Sequence, residues 1–134
     1  MPKTSVQVIQ PRRLPQTVQT LRRFGLSPIS SSNKTPPLLT LAPYPFGKST
    51  RLPGKGGRSI PPLLVPDSTN PANTLTLLRK LGTSSPGPFF AAGKAGQINA
   101  ALFAAACLAP GNPKIRQALQ SFRSRQTTSV PLWP

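Results

Sequence analysis

The sequence predicts an α/β chain whose regular structure gathers at its two ends. A short alternating segment runs into a helix-periodic one near the N-terminus, and a second succession of strand, turn and helix begins at Phe89. Composition marks the boundary between the two. Residues 1–88 hold 15 of the 19 prolines and 12 of the 17 Lys and Arg, so 26–88 is expected to be largely irregular and 89–134 to be a helical C-terminal unit.

Taken in order, Ser5 to Ile9 alternates as a short strand does, and Gln16 to Phe24 spaces Val18, Leu21 and Phe24 along one helical face, closed by Gly25. After Leu26, Pro36-Pro37, Pro43, Pro45, Pro53, Pro61-Pro62 and Pro66 recur too often for a helix, and central strands do not tolerate such spacing. Leu63-Leu64-Val65 reads as a very short strand. Thr74 to Leu81 reads as two helical turns with Leu75, Leu78 and Leu81 along one side. Phe89-Phe90-Ala91-Ala92 is an apolar run, Gly93-Lys94-Ala95-Gly96 a turn, and Gln97 to Ala109 a helix apolar almost all round, which must be buried on several sides. Pro110 and Gly111 stop it. Asn112 then caps a second helix with Pro113 at its first position, where a missing N–H costs nothing. Ile115, Ala118, Leu119 and Phe122 form its apolar stripe, Lys114, Gln117, Gln120 and Arg123 its polar face, and Ser129 to Pro134 a tail.

The 134 residues fit one domain, 1–134, and 37% hydrophobic residues is at the low side of globular usage. Pro and Gly together make about a fifth of the chain, short of low-complexity disorder. Against 17 Lys and Arg stands a single acid, Asp67, for a net charge of +16, and there is no His. That excludes a paired-carboxylate hydrolase, a His- or Cys-rich metal site, and Ser/His/Asp or Cys/His nucleophile pairs. The one cysteine, Cys107, allows no internal disulfide and reads as a small core residue within its Ala/Leu run. The longest apolar stretch, Ala100 to Ala109, is half of what a bilayer crossing requires, so no membrane association is expected. The N-terminus has the Arg and Ser of an organellar transit peptide, but its prolines interrupt the amphipathic helix such a peptide needs, and a cytoplasmic location is expected.

Two features point to anions. The turn with Gly93, Lys94 and Gly96 precedes a helix start whose free N–H groups and dipole suit a phosphate, although a plain tight turn explains the same residues. The basic residues Arg12-Arg13, Arg22-Arg23, Lys48, Arg51, Lys55 and Arg58 will attract polyanions, including non-specific nucleic acid, whatever the fold. Six Phe, one Tyr and one Trp do not interleave with these along the sequence, and no zinc, helix-turn-helix or RNA-recognition signature appears.

Gly93 to Val130 resembles the C-terminal part of the carboxyaminoimidazole ribonucleotide mutase family, the catalytic subunit of phosphoribosylaminoimidazole carboxylase in purine synthesis. The Gly-Lys-Ala-Gly turn, Asn99-Ala100-Ala101-Leu102, the Pro-started second helix, and Phe122, Arg123, Gln126, Thr127 and Val130 occur in family order and spacing. Upstream, Val6 to Ile9 and Leu14 to Gly25 resemble the family's first strand and helix. Its Gly-Ser-x-Ser-Asp phosphate loop is replaced by Pro11-Arg12-Arg13, with Arg13 where the Asp should be. Ser31-Ser32-Asn33-Lys34-Thr35-Pro36 falls where the family has Ser-Ala-His-Arg-Thr-Pro, and Leu52-Pro53-Gly54 resembles the end of its His-Leu-Pro-Gly loop, with Arg51 at the His.

The resemblance implies a flavodoxin-like three-layer domain with a parallel sheet, incomplete here, assembled in the family as a homo-octamer in the cytoplasm. It also implies an imidazole ribonucleotide substrate and carboxyl transfer from an exocyclic nitrogen to the imidazole ring, with no metal and no organic cofactor. Substrate-binding candidates carried over are Ser31, Lys34, Gly93, Lys94, Gly96 and Arg13. Lys34 in place of the family Arg keeps the charge and loses the bidentate fork. No catalytic residue carries over, because Asn33 occupies the His position and cannot transfer a proton at neutral pH. Residues 1–88 thus read as a degraded nucleotide-binding part and 89–134 as a family-like unit. Divergence with loss of the site is one origin. A shifted reading frame over part of 1–88 is the other, and it accounts together for the composition break, the missing acids and the lost motifs. The alternative function, from a different class, is a basic non-enzymatic protein that binds polyanions or RNA.

Overall fold

The computed structural model describes residues 6–29, 37–45, 61–67, 70–84 and 87–132. Three strands, β1 (Val6–Val8), β2 (Leu39–Tyr44) and β3 (Leu63–Pro66), form an open parallel sheet in the order β1-β2-β3. Four helices accompany it: α1 (Pro15–Arg23), α2 (Pro71–Thr83), α3 (Gly93–Leu108) and α4 (Pro113–Ser129). Single-residue parallel bridges extend both edges, Ile29 beside Gln7 and Phe89 beside Leu64. Each is held by two backbone hydrogen bonds, Val8 N to Ile29 O and Ile29 N to Val6 O at 3.0 Å, and Leu64 N to Pro88 O at 2.8 Å with Phe90 N to Leu64 O at 2.9 Å.

The two faces of the sheet are built from the alternation of strand residues. Val6, Val8, Leu39, Leu41, Leu63 and Val65 join the main core with Leu14, Leu21 and Phe24 around α1, the alanines of α3, and Ile115 and Leu119 of α4. On the opposite face Ala42 and Leu64 pack with Ile9 and with Leu81 of α2. Helices therefore cover both faces, α1 and α3 on one and α2 on the other.

Residues 26–88, expected to be largely irregular, contain β2, β3 and α2. β2 is the central strand although it includes Pro43. In a parallel strand the N–H and C=O of alternate residues point to the same neighbour. Leu41 O accepts from Ile9 N on the β1 side at 2.9 Å, so Pro43 also faces β1. The β1 pairing ends with Val8 and Leu41, and Gln10 turns away in the left-handed region at φ 48°. No ladder bond exists for Pro43 to remove. Pro66 is tolerated likewise: Leu64 and Pro66 face the Phe89 edge, where pairing is a single bridge, and the β2 side is served by Leu63 and Val65.

α2 is longer than the expected Thr74 to Leu81 because Asn70 caps it, its side chain accepting from Ala72 N at 2.9 Å, with Pro71 at the first position. Its buried contact is Leu81, at 1% exposure, whereas Leu75 is 51% exposed and not on the packed side. The Phe89 to Ala92 run contributes one bridge and no strand. Gly93 to Gly96 is not a turn ahead of a helix; it is the first turn of α3. Gly93 makes the reversal at φ +85°, and Gly96 is buried against Ala91, whose carbonyl oxygen occupies the place a Cβ would take. α3 is covered by α1, α4 and β3, as an all-apolar helix requires, and leaves open one stripe that carries Asn99, Phe103 and Cys107. Ala100, Ala101, Ala104 and Ala105 are buried, their small size allowing close approach to α1, where Thr17 and Thr20 are also buried. Phe103, at 44% exposure, and Cys107 face outward. Cys107 is thus a surface residue, contrary to the core position its apolar neighbours suggested. α4 follows the expected pattern: Asn112 accepts from Lys114 N and Ile115 N, Ile115 and Leu119 are buried, and Phe122 meets Phe24 edge to face with centroids 5.9 Å apart. The helix continues to Ser129, into what the sequence marks as the tail.

Candidate functional site

In open α/β sheets ligands bind beyond the carboxyl ends of the strands, where the strand order reverses. Read through the bridges, the positions across this sheet run Ile29, β1, β2, β3, Phe89, so the reversal lies between β1 and β2. The segment leaving β1 forms a 3-10 turn over Pro11–Arg13, and Leu14, fully buried, anchors the start of α1. That turn delivers Arg13 to the strand ends. Its Nε donates to Asp67 Oδ2 at 2.6 Å, and its Nη1 to Gln10 Oε1 at 2.7 Å and Pro45 O at 3.1 Å. One guanidinium thereby ties together the segments that follow β1, β2 and β3. Among the described residues its Nη2 hydrogens have no acceptor, and the side chain is 31% exposed.

The start of α1 offers an anion few donors. Pro15 has no N–H, and Gln16 N donates to Gln97 Oε1 at 3.0 Å. Thr17 Oγ1 donates to Gln97 O at 2.8 Å, so one residue of α3 clamps this helix start through both its side chain and its backbone. An internal hydrogen-bonded contact thus takes up donors at this helix start.

Lys94 is exposed on the first turn of α3 and belongs to different surroundings. It lines an open groove of about 1220 Å³ between α1, α3 and α4, together with Arg23, Arg125 and Phe122. Gly93 has open space around it, whereas the missing side chain of Gly96 is accounted for by Ala91. Arg13 and Lys94 therefore line separate places. Ser31, Asn33, Lys34, Arg51 and Leu52-Pro53-Gly54 lie outside the described residues.

No protein-family model and no curated protein matches the sequence. Chemistry then rests on the side chains in place. Asp67, the single acidic side chain, is held by Arg13, so at the strand ends the described residues offer a hydrogen-bonding cation and no general base. No group of three His, Cys, Asp or Glu side chains comes together among the described residues, and no helix among them is long and apolar enough to cross a membrane.

Sequence reasoning missed three contacts. Gln97 clamps the start of α1, but a glutamine opening an apolar helix carries no mark of its distant partner. Asp67 had to find one of 17 cations, and spacing says nothing of which. Arg23 and Arg125 meet Lys94 only through the packing of α1 and α4 against α3.

Proposed function

We propose that this chain is built on the carboxyaminoimidazole ribonucleotide mutase scaffold, a flavodoxin-like three-layer domain, and binds an imidazole ribonucleotide without turning it over. The observation that carries the reading is the order of the sheet positions. Ile29, β1, β2, β3 and Phe89 follow the 2-1-3-4-5 succession of flavodoxin-like folds, with α1 and α3 on one face and α2 on the other. Arg13 stands at the point of reversal with two donors that meet no acceptor among the described residues. Its position supports binding of the ribonucleotide through that group.

The carboxyl transfer needs a proton moved at the ring carbon, and with no His and its one Asp engaged by Arg13 the chain has no side chain suited to it at neutral pH. On this reading neither a metal nor an organic cofactor takes part. Homo-oligomeric assembly belongs to the same reading, supported by the outward apolar side of α3, where Phe103 and Phe90 pack edge to face with centroids 5.6 Å apart.

The test is calorimetric titration of the full chain with the imidazole ribonucleotide and with the same nucleoside lacking phosphate, alongside a turnover assay for ring carboxylation. Phosphate-dependent binding that Arg13→Ala abolishes, with no turnover, is the expected result. Family-like turnover, or binding indifferent to the phosphate, overturns the proposal.

A further inference from the structure

We propose that the groove between α1, α3 and α4 binds single-stranded nucleic acid, its cations on the phosphates and Phe122 under a base. This is independent of the ribonucleotide reading, which concerns the strand ends.

Charge comes first. Arg23, Lys94 and Arg125 line the groove, and a shallower one that shares Gln19 and Arg23 with it adds Arg12 and Arg22. Five cations thus line two adjoining grooves. The chain has one acidic side chain, and Arg13 holds it, so no side-chain carboxylate is available to neutralise them. Uncompensated cations in a concave surface focus a positive potential and recruit a polyanion.

The character of the floor selects the class of polyanion. Along the sequence the aromatic residues stand apart from the basic ones, but the fold brings Phe122 into the groove that Arg23 of α1 and Arg125 of α4 also line. Phe122 is half-buried, packed against the main core and edge to face with Phe24, and lines the groove. A cationic groove with an aromatic platform is the arrangement that binds single strands without sequence preference, since every base has a face to stack. Amide and hydroxyl groups of Gln19, Asn99, Ser121 and Gln126 supply hydrogen bonds to phosphate and sugar. The apolar side chains of the groove itself, Ile98, Leu102 and Phe122, line its recess, where a flat membrane surface does not reach them. A duplex would meet only the rims of a recess between helices.

Fluorescence anisotropy of a labelled oligouridylate with the full chain tests this. Replacing Arg23, Lys94 and Arg125 together by Ala is expected to weaken binding roughly tenfold or more and to reduce the slope of log affinity against log salt by about 2. Replacing Arg79, Lys80 and Arg116, which remove the same charge and line neither groove, is expected to change affinity less than about twofold once salt dependence is matched. Phe122→Leu keeps the apolar volume and removes the π face, and is expected to weaken oligouridylate while leaving inorganic polyphosphate unaffected. Equal losses from the two triple variants overturn the proposal, since binding would then follow net charge alone. So do a duplex bound as tightly as the single strand, anionic vesicles that displace the oligonucleotide at equal charge, or a Phe122→Leu variant unchanged for both ligands. Arg125→Glu alone, at an exposed position, repeats the charge test should the triple variant lose its circular dichroism.

Discussion

Replacing Gly96 by Ala should destabilise the protein, although helix propensity alone predicts the opposite. Gly96 lies in the first turn of α3, and inside a helix Ala is favoured over Gly by about 1 kcal/mol. The added Cβ, however, would fall on the carbonyl oxygen and carbon of Ala91 and 3.2 Å from its Cα. These are backbone atoms, so no side-chain rotation relieves the overlap. Overpacking a tight site costs about 1–3 kcal/mol where side chains can adjust, and the upper end applies where backbone must move. Setting that against the propensity gain leaves a net loss of about 2 kcal/mol. Gly82 provides the matched control: it lies within α2 with nothing within 4 Å of its added Cβ and a right-handed backbone, so Gly82→Ala should stabilise by about 0.5–1 kcal/mol. Urea unfolding followed by circular dichroism reads both as shifts of midpoint at constant slope. The packing argument fails if Gly96→Ala moves the midpoint upward, or if the two variants shift it alike.

Truncating Asn112 to Ala removes the acceptor for Lys114 N and Ile115 N and should cost about 1 kcal/mol in the same urea assay. Asn70→Ala should cost a comparable amount by uncapping α2. Leu64→Ala empties a fully buried position in the small core under α2 and should cost about 2–5 kcal/mol, with α2 losing its amide-exchange protection ahead of α3. Asp67→Asn leaves the Arg13 pair without its charge; because both side chains are about a third exposed, the loss should stay below about 1 kcal/mol and shrink in high salt.

Where the determinants were local, the sequence made the fold legible. Asn112 followed by Pro113, the stripe of Ile115, Ala118, Leu119 and Phe122, and the Val18, Leu21 and Phe24 face each depend only on neighbours within a turn or two, and each helix stands where its pattern puts it. The same Asn-Pro signal at Asn70 and Pro71 was equally readable and marks the true start of α2. β2 was not legible, because what Pro43 costs depends on which neighbour its nitrogen faces and on where that neighbour ends. Both are facts of pairing between segments more than thirty residues apart. α3 was legible as a helix packed on several sides, but not which stripe of it stays open. A helix with apolar residues all round has no periodicity to say which side is buried, and packing distance made the choice in favour of the alanines over Phe103 and Cys107.

The contrast between scaffold and site follows from the same physics. A parallel sheet asks of its strands only apolar residues in alternation and an N–H wherever a neighbour still runs alongside; β1, β2 and β3 meet this with three, six and four residues, even with prolines among them. Many sequences satisfy such a condition. A phosphate loop or a proton-transferring histidine is a condition on particular residues at particular places, and between β1 and α1 the chain has the Pro11–Arg13 turn and the Arg13 to Asp67 pair, followed by Pro15 and the Gln16 to Gln97 bond. Once donors at a helix start are satisfied internally, an arriving phosphate must displace those bonds as well as make its own. Among the described residues, binding at the strand ends therefore rests on Arg13, whose Nη2 meets no acceptor among them, and this is why Arg13→Ala, and not a change at Lys94, tests that contribution.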